Sequence, residues 1–243
     1  MVSLEIAVQD AQGARIAQQS GADRVELCAA LGATGGLTPS LGMVESVVRV
    51  GLPVHVLIRP RPGGFIYLPD DFAVMSRDIA LVLRAGASGV VIGALTPHNT
   101  IDLLATATLA ETARATAREL GRDVEVTFHR AIDVVEKPVE QLAVLRSLGI
   151  DRVLTSGKAA AAGDGLGLLR EMVDADSGLE IMAGGGVTAA TIPYLVEAGV
   201  HAVHLSGKVE VLDAGPTGPG GGTATLLEQT SVELVQAAAD ALR

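Results

Sequence analysis

The chain has 243 residues, of which 49% are hydrophobic and 19% charged, and its formal net charge is −10. This excludes global disorder and argues against a broad nucleic-acid or anionic-membrane surface, which needs positive potential. Cys28 is the sole cysteine, so there is no internal disulfide and no Cys-x-x-Cys site.

No apolar run approaches the roughly 20 residues that span a bilayer. The N-terminus, with Glu5 and Asp10, lacks a basic-then-apolar leader pattern. A cytoplasmic protein with no membrane partner is expected.

In chain order, strands are expected at 2–8 and 24–28, then a helix over 39–50 and a strand at 54–59. A helix over 71–85 leads to a strand at 89–94, and a helix over 100–120 to a strand at 124–129. The remaining pairs are helix 138–148 with strand 152–156, helix 165–175 with strand 179–183, and helix 188–198 with strand 202–206. A last helix falls near 231–242, after a Gly/Pro-rich stretch at 213–225 that reads as a flexible loop over the catalytic face. Four of the joints repeat a glycine four residues before a buried valine, at Gly21, Gly86, Gly149 and Gly199. Each glycine suits a helix C-terminus that needs positive φ.

Strict strand–helix alternation means a parallel sheet. Eight units favour a single-domain (β/α)8 TIM barrel over residues 1–243. An open doubly wound sheet would expect near-continuous apolar strands, and these strands alternate. In Val54-His55-Val56-Leu57-Ile58-Arg59 the even positions are branched and apolar, while His55 and Arg59 share the other parity. Glu5, Glu26 with Cys28, Glu125 with Thr127 and His129, and His204 with Ser206 repeat the pattern. Successive strand residues point to opposite faces, so the polar face becomes the barrel lumen. Charged groups there must pair or meet water or ligand. A self-satisfied ion network, such as Glu5 or Glu26 with Arg59, is the structural alternative to a functional site.

Chemistry in such barrels sits at the strand C-terminal ends. Those ends carry Glu26 and Cys28, Arg59 and Arg61, and His129, Arg130 and Asp133. They continue with Thr155, Ser156 and Gly157, then Gly184, Gly185 and Gly186, then Ser206, Gly207 and Lys208. The glycine loops after the seventh and eighth strands suit a phosphate or carboxylate, with Thr188 opening a helix whose N-terminus adds favourable potential. Arg59, with Arg61 beside it, offers a guanidinium fork for a carboxylate or phosphate. Thr155, Ser156, Gly157 and Arg130 extend the candidate anion-binding set. His129 is the leading acid/base candidate, with Glu26 or Glu125 expected near it and Asp133 as a further catalytic carboxylate. Cys28 is a candidate metal ligand, and as a nucleophile it has no supporting local signature.

Glu26-Leu-Cys, Gly35-Gly-Leu-Thr-Pro-Ser, Ile58-Arg-Pro-Arg, Thr127-Phe-His-Arg-Ala-x-Asp, Val153-Leu-Thr-Ser-Gly and Met182-Ala-Gly-Gly-Gly-Val occur in this order. In that order they resemble the CutC copper homeostasis family over residues 2–208. The resemblance implies a (β/α)8 barrel, a cytoplasmic location, a homo-oligomer, and a role in copper tolerance through copper binding or trafficking. It points to Glu26, Cys28, Arg59, Arg61, His129, Arg130, Asp133, Thr155, Ser156 and Gly157 as motif residues. Two positions depart from the family pattern. Gly64 stands before Phe65 where an acid is common, and Lys158 stands where a second glycine follows Thr-Ser-Gly.

Copper(I) favours thiolate and thioether ligands, and the inward soft set is only Cys28 and Met182, with His55, His129 and His204 as nitrogen partners. Two functions are therefore expected to compete. One is copper binding through Cys28. The other is an enzyme acting by acid/base chemistry on a small phosphorylated or carboxylated metabolite, with no organic cofactor implied.

Overall fold

The computed structural model describes residues 2–213, 215 and 226–243. Eight parallel strands close into one barrel in chain order: β1 (Ser3–Val8), β2 (Arg24–Leu27), β3 (Val54–Leu57), β4 (Gly89–Ile92), β5 (Glu125–Phe128), β6 (Arg152–Thr155), β7 (Glu180–Gly184) and β8 (Ala202–Leu205). Closure comes from β1 pairing with β8, with Glu5 opposite His204. The helices are α1 (Ala11–Gln19), α2 (Leu31–Thr34), α3 (Leu41–Val48), α4 (Pro69–Arg84), α5 (Leu103–Leu120), α6 (Pro138–Ser147), α7 (Leu166–Asp174), α8 (Ile192–Glu197) and α9 (Val232–Asp240). Asp10, Ser40, Asp102 and Ser231 cap α1, α3, α5 and α9 by accepting backbone N–H groups of the first turn. The four joint glycines all take positive φ, between 85° and 106°.

The strand parity holds throughout. Val54, Val56 and Ile58, with Val90, Ile92, Val126, Phe128 and Val203, join the helix-facing apolar core. The opposite parity lines the lumen. There the usual branched apolar filling is replaced by an ion network, with small apolar clusters such as Leu154, Met182 and Ala202 beside it.

Two features differ from expectation. The helix after β7 starts at Ile192 and has six residues, because Thr188 and Thr191 first form a turn in which the Thr188 N–H donates to Thr191 Oγ1. Thr188 therefore opens no helix towards the Gly184–Gly186 loop. A hairpin also follows the barrel: β9 (Lys208–Leu212) pairs antiparallel with β10 (Leu226–Thr230). Of the 213–225 loop, all but Asp213 and Gly215 lies outside the described residues. The Lys208 ammonium and Glu228 pair across the hairpin. Glu228 Oε2 also accepts from Gln9 Nε2 at 3.0 Å and from the Gly32 N–H at 2.9 Å, fastening the hairpin to the barrel mouth. Among the described residues no helix is long and apolar enough to cross a membrane.

Candidate functional site

A cavity of about 680 Å³ opens at the C-terminal ends of the strands. Its wall includes Glu26, Arg59, His129, Arg130, Asp133, Gly185, Gly186, His204 and Ser206.

Beneath it the lumen holds a continuous ion network. Glu5, fully buried, sits at its centre. Its Oε2 accepts from Arg24 Nε at 2.7 Å and lies 3.3 Å from His55 Nδ1, while Oε1 lies 2.8 Å from His204 Nδ1. His55 Nε2 reaches Glu125 at 3.1 Å, and Arg152 pairs with Glu125 at 2.8 Å and with Glu180 at 2.6 Å. Arg24 joins the same Glu180 at 2.7 Å. Burial alone would raise Glu5, but hydrogen bonds from His204 and His55, reinforced by Arg24, hold it well below the usual carboxylate range. Against burial, the bond to Glu5 raises His204, and bonds to Glu125 and then Glu5 raise His55. Glu125, bonded to His55 and Arg152, is pulled down to about 2.

This network corrects the expected pairing of Glu5 or Glu26 with Arg59. The partners are Arg24 and Arg152, which share the inward parity at the starts of β2 and β6. The repeated Asp-Arg-Val at 23–25 and 151–153 is the signal that could have found them.

Arg59 is committed to the backbone instead. Nη1 donates to the Thr34 and Gly36 carbonyls, both at 2.7 Å, and Nη2 donates to the Gly63 carbonyl at 2.6 Å. Its guanidinium lies 5.5 Å from the Phe65 ring centre. It shapes the cavity wall, and only Nε lacks a partner among the described residues. Arg61 lies away from the cavity, where it pairs with Asp71 at 3.1 Å and stacks on Tyr67.

Among the described residues His129 has no carboxylate partner. Its Nδ1 accepts the Ala131 N–H at 3.2 Å, its ring lies 4.7 Å from that of Phe65, and its Nε2 is buried without a partner among the described residues. Burial, and then the nearby Arg59 charge, push it down to about 3. It is therefore neutral at physiological pH, with the proton on Nε2 because Nδ1 is an acceptor. The expected pairing of His129 with Glu26 or Glu125 is absent among the described residues, and in its neutral form His129 offers a hydrogen-bond donor at Nε2. A β-carbon at Gly93 would fall 2.2 Å from the ring, so only glycine on β4's end leaves room for it.

Glu26 is the carboxylate with spare capacity. Its residue is 6% exposed, and Oε2 finds no hydrogen-bond partner among the described residues. Burial, with Glu5 adding to it against His204, pushes it up to about 7.

Asp133, in a 3₁₀ turn spanning Arg130–Val134, is occupied by donors. It accepts from Arg130 Nε at 2.9 Å, Thr155 Oγ1 at 2.5 Å, Ser156 Oγ at 3.0 Å and the Ser156 and Lys158 N–H groups. It positions Arg130, Thr155 and Ser156 and has little left for proton transfer. Asp133→Asn, which keeps the volume but turns an acceptor into a donor, is expected to cost about 1–2 kcal/mol in urea unfolding. An unchanged midpoint would show the hub to be dispensable.

The anion loops are more closely packed than expected. Gly185 lies against Arg130, where a β-carbon would come 2.7 Å from Nη1, and Gly186 packs on Ala161. Gly184 abuts Leu154 and His204. Gly157 packs on Gly165, and Gly207 takes positive φ beside Val235, where its carbonyl accepts the Ser231 N–H. Ser206 lines the cavity, while Thr155 and Ser156 are fully engaged with Asp133. Lys158 occupies the left-handed region at φ 62°, which favours glycine. Its Nζ donates to the Val135 carbonyl at 2.6 Å, an anchor that glycine could not supply.

Cys28 does not fit a copper site. It is fully buried in an apolar cluster with Leu57 and Val91 and does not line the cavity. Burial pushes its thiol far up, away from the thiolate a metal requires. Met182 Sδ lies 3.3 Å from Arg24 Nη2, in a separate cluster.

Comparison with known proteins accounts for the motif order. The CutC family model matches residues 2–209. A Pasteurella multocida protein named as family protein CutC is 42% identical over 210 residues, covering 85% of this chain and 82% of its own. A Salmonella schwarzengrund counterpart is 43% identical, covering 86% and 81%. A solved Streptococcus agalactiae structure, named as a copper homeostasis protein CutC, superposes with a TM-score of 0.76 at 29% identity, over 85% of this chain and 99% of that one. With its barrel, its motif order and a family match along nearly its whole length, this chain belongs to the CutC family.

Proposed function

We propose that this member of a family named for copper homeostasis acts on a small anionic metabolite at the barrel mouth. In this reading its part in copper tolerance runs through that activity. The observation that carries the reading is one cavity, at the catalytic end of the barrel, whose wall includes three buried side chains with polar atoms unpartnered among the described residues, Glu26 Oε2, Arg59 Nε and His129 Nε2. Buried polar atoms without partners are rare in native proteins and point to a ligand.

Each residue has a distinct part. Neutral His129 donates a hydrogen bond from Nε2 to a ligand oxygen and steadies negative charge that develops there. Arg130, half-exposed and oriented by Asp133 and Ser156, pairs with the ligand's carboxylate or phosphate. Glu26 adds a buried carboxyl group to the same cavity, pushed up to about 7 and so able to accept or release a proton near neutrality.

A thermal-shift panel of small phosphorylated and carboxylated metabolites tests this. At least one anion is expected to raise the melting temperature of wild type, with the shift reduced in Arg130→Met. No shift from any member would overturn the reading. Copper carried on Cys28 is the alternative; it has the family's name in its favour and the thiol's burial against it. Copper retention that disappears in Cys28→Ala would establish it.

A further inference from the structure

Glu5, Glu26 and His204 each bring one ligand-type atom to a single point, all within 4.8 Å of one another. His204 Nδ1 lies 2.8 Å from Glu5 Oε1 and 3.9 Å from Glu26 Oε2. Donors bonded to a common ion at about 2.1 Å sit roughly 3.0–3.4 Å from their neighbours, so an ion would draw Glu26 Oε2 in by about half an ångström or more from its 3.9 Å separation. Glu26 Oε2, the third member, has no hydrogen-bond partner among the described residues, although its side chain is only 8% exposed. Glu26 and His204 both line the cavity, which supplies an entry path.

The lumen around the site is rich in carboxylates: Glu5, Glu26, Glu125 and Glu180 share the guanidiniums of Arg24 and Arg152 and the imidazoles of His55 and His204. Arg24 and His55 contact Glu5 at Oε2, leaving Oε1 on the side of His204.

We propose that Glu5, Glu26 and His204 form a binding site for one divalent cation of hard or borderline character, such as Mn²⁺ or Zn²⁺, at the base of the barrel-mouth cavity. Two carboxylates and an imidazole suit such ions, whereas copper(I) prefers sulfur. The site keeps open positions towards the cavity, where a ligand oxygen can complete the coordination. This deepens the proposed function, because it adds a metal to the same cavity, and it rests on that reading only for what the metal does.

Dialysed protein is titrated with Mn²⁺, followed by electron paramagnetic resonance, and separately with Zn²⁺, followed by calorimetry. One saturable site per chain is expected. In Glu26→Gln it should be at least about tenfold weaker, since loss of even an outer-sphere partner costs that much. His204→Gln should act alike, with thermal melts confirming that both variants are folded. Two results would overturn the site: no saturable binding of either ion, or binding unchanged in both variants. Copper(I) bound in preference, and lost in Cys28→Ser but not in Glu26→Gln, would also overturn it. Metal binding alongside a silent metabolite panel would sink only the proposed function. A responsive panel without metal binding would sink only this site.

Discussion

Glu5→Ala is expected to destabilise the protein by about 3–5 kcal/mol, the range for removing one partner of a buried ion cluster. The cost is not a lost attraction alone. Glu5 is fully buried and is the shared acceptor for Arg24, His55 and His204. Without it, the Arg24 guanidinium keeps only Glu180 as a carboxylate partner, His204 loses the bond that raises it, and His55 is left with Glu125. Urea unfolding at neutral pH reads the effect directly. Combining Glu5→Met with Arg24→Met should recover part of the loss, because a matched apolar pair leaves fewer stranded charges. A single-variant loss below about 1 kcal/mol would mean that water replaces Glu5 freely, and that the lumen is not the dry ionic core inferred from its burial.

The second large effect is on acid stability. His129 titrates near 3 in the folded protein because burial, and then Arg59, oppose its charged form. In the unfolded chain it returns to about 6.5. The unfolded state therefore binds more protons between these values, so the stabilisation is complete above about pH 6.5 and is lost as pH falls towards 3. From about pH 7 to about pH 4 the loss amounts to about 3 kcal/mol. His129→Gln removes this titration while keeping a polar side chain beside Ala131. Its stability should fall less steeply with acid than that of wild type, by that amount. Parallel curves for the two proteins would show that His129 is solvated in the native state.

The barrel was legible because its signals are local and repeated. Period-2 alternation placed Glu5, Glu26, His55, His129 and His204 on one face, and the joint glycines marked helix ends by a dihedral requirement. What stayed hidden depends on distance across the lumen. No local pattern reveals that Arg59 spends its donors on the carbonyls of Thr34, Gly36 and Gly63, since those come from loop conformations. The isolation of His129 from any carboxylate is also a property of strand placement around the ring. The hairpin did carry a signal: Lys208-Val-Glu-Val-Leu alternates, but the adjacent glycine run outweighed it. Arg24 and Arg152 sit at strand starts, away from the catalytic ends, and nothing beside them in the chain reveals the carboxylates they meet across the lumen.

Those two arginines belong to a deeper regularity. Arg24 bonds Glu5 on the preceding strand at 2.7 Å, and Arg152 bonds Glu125 on its preceding strand at 2.8 Å. The aspartates just before them match too: Asp23 accepts the Leu4 N–H at 2.7 Å and Asp151 accepts the Val126 N–H at 2.8 Å. Strand pairs β1–β2 and β5–β6 are thus equivalent under a half-turn of the barrel, as two copies of one four-strand unit would be. Yet neither copy is electrically complete. Arg24 in the first half needs Glu180 in the second, His55 reaches Glu125, and Glu5 reaches His204. An isolated half would strand charges that only its counterpart neutralises, so the two halves are bound to fold as one cooperative body.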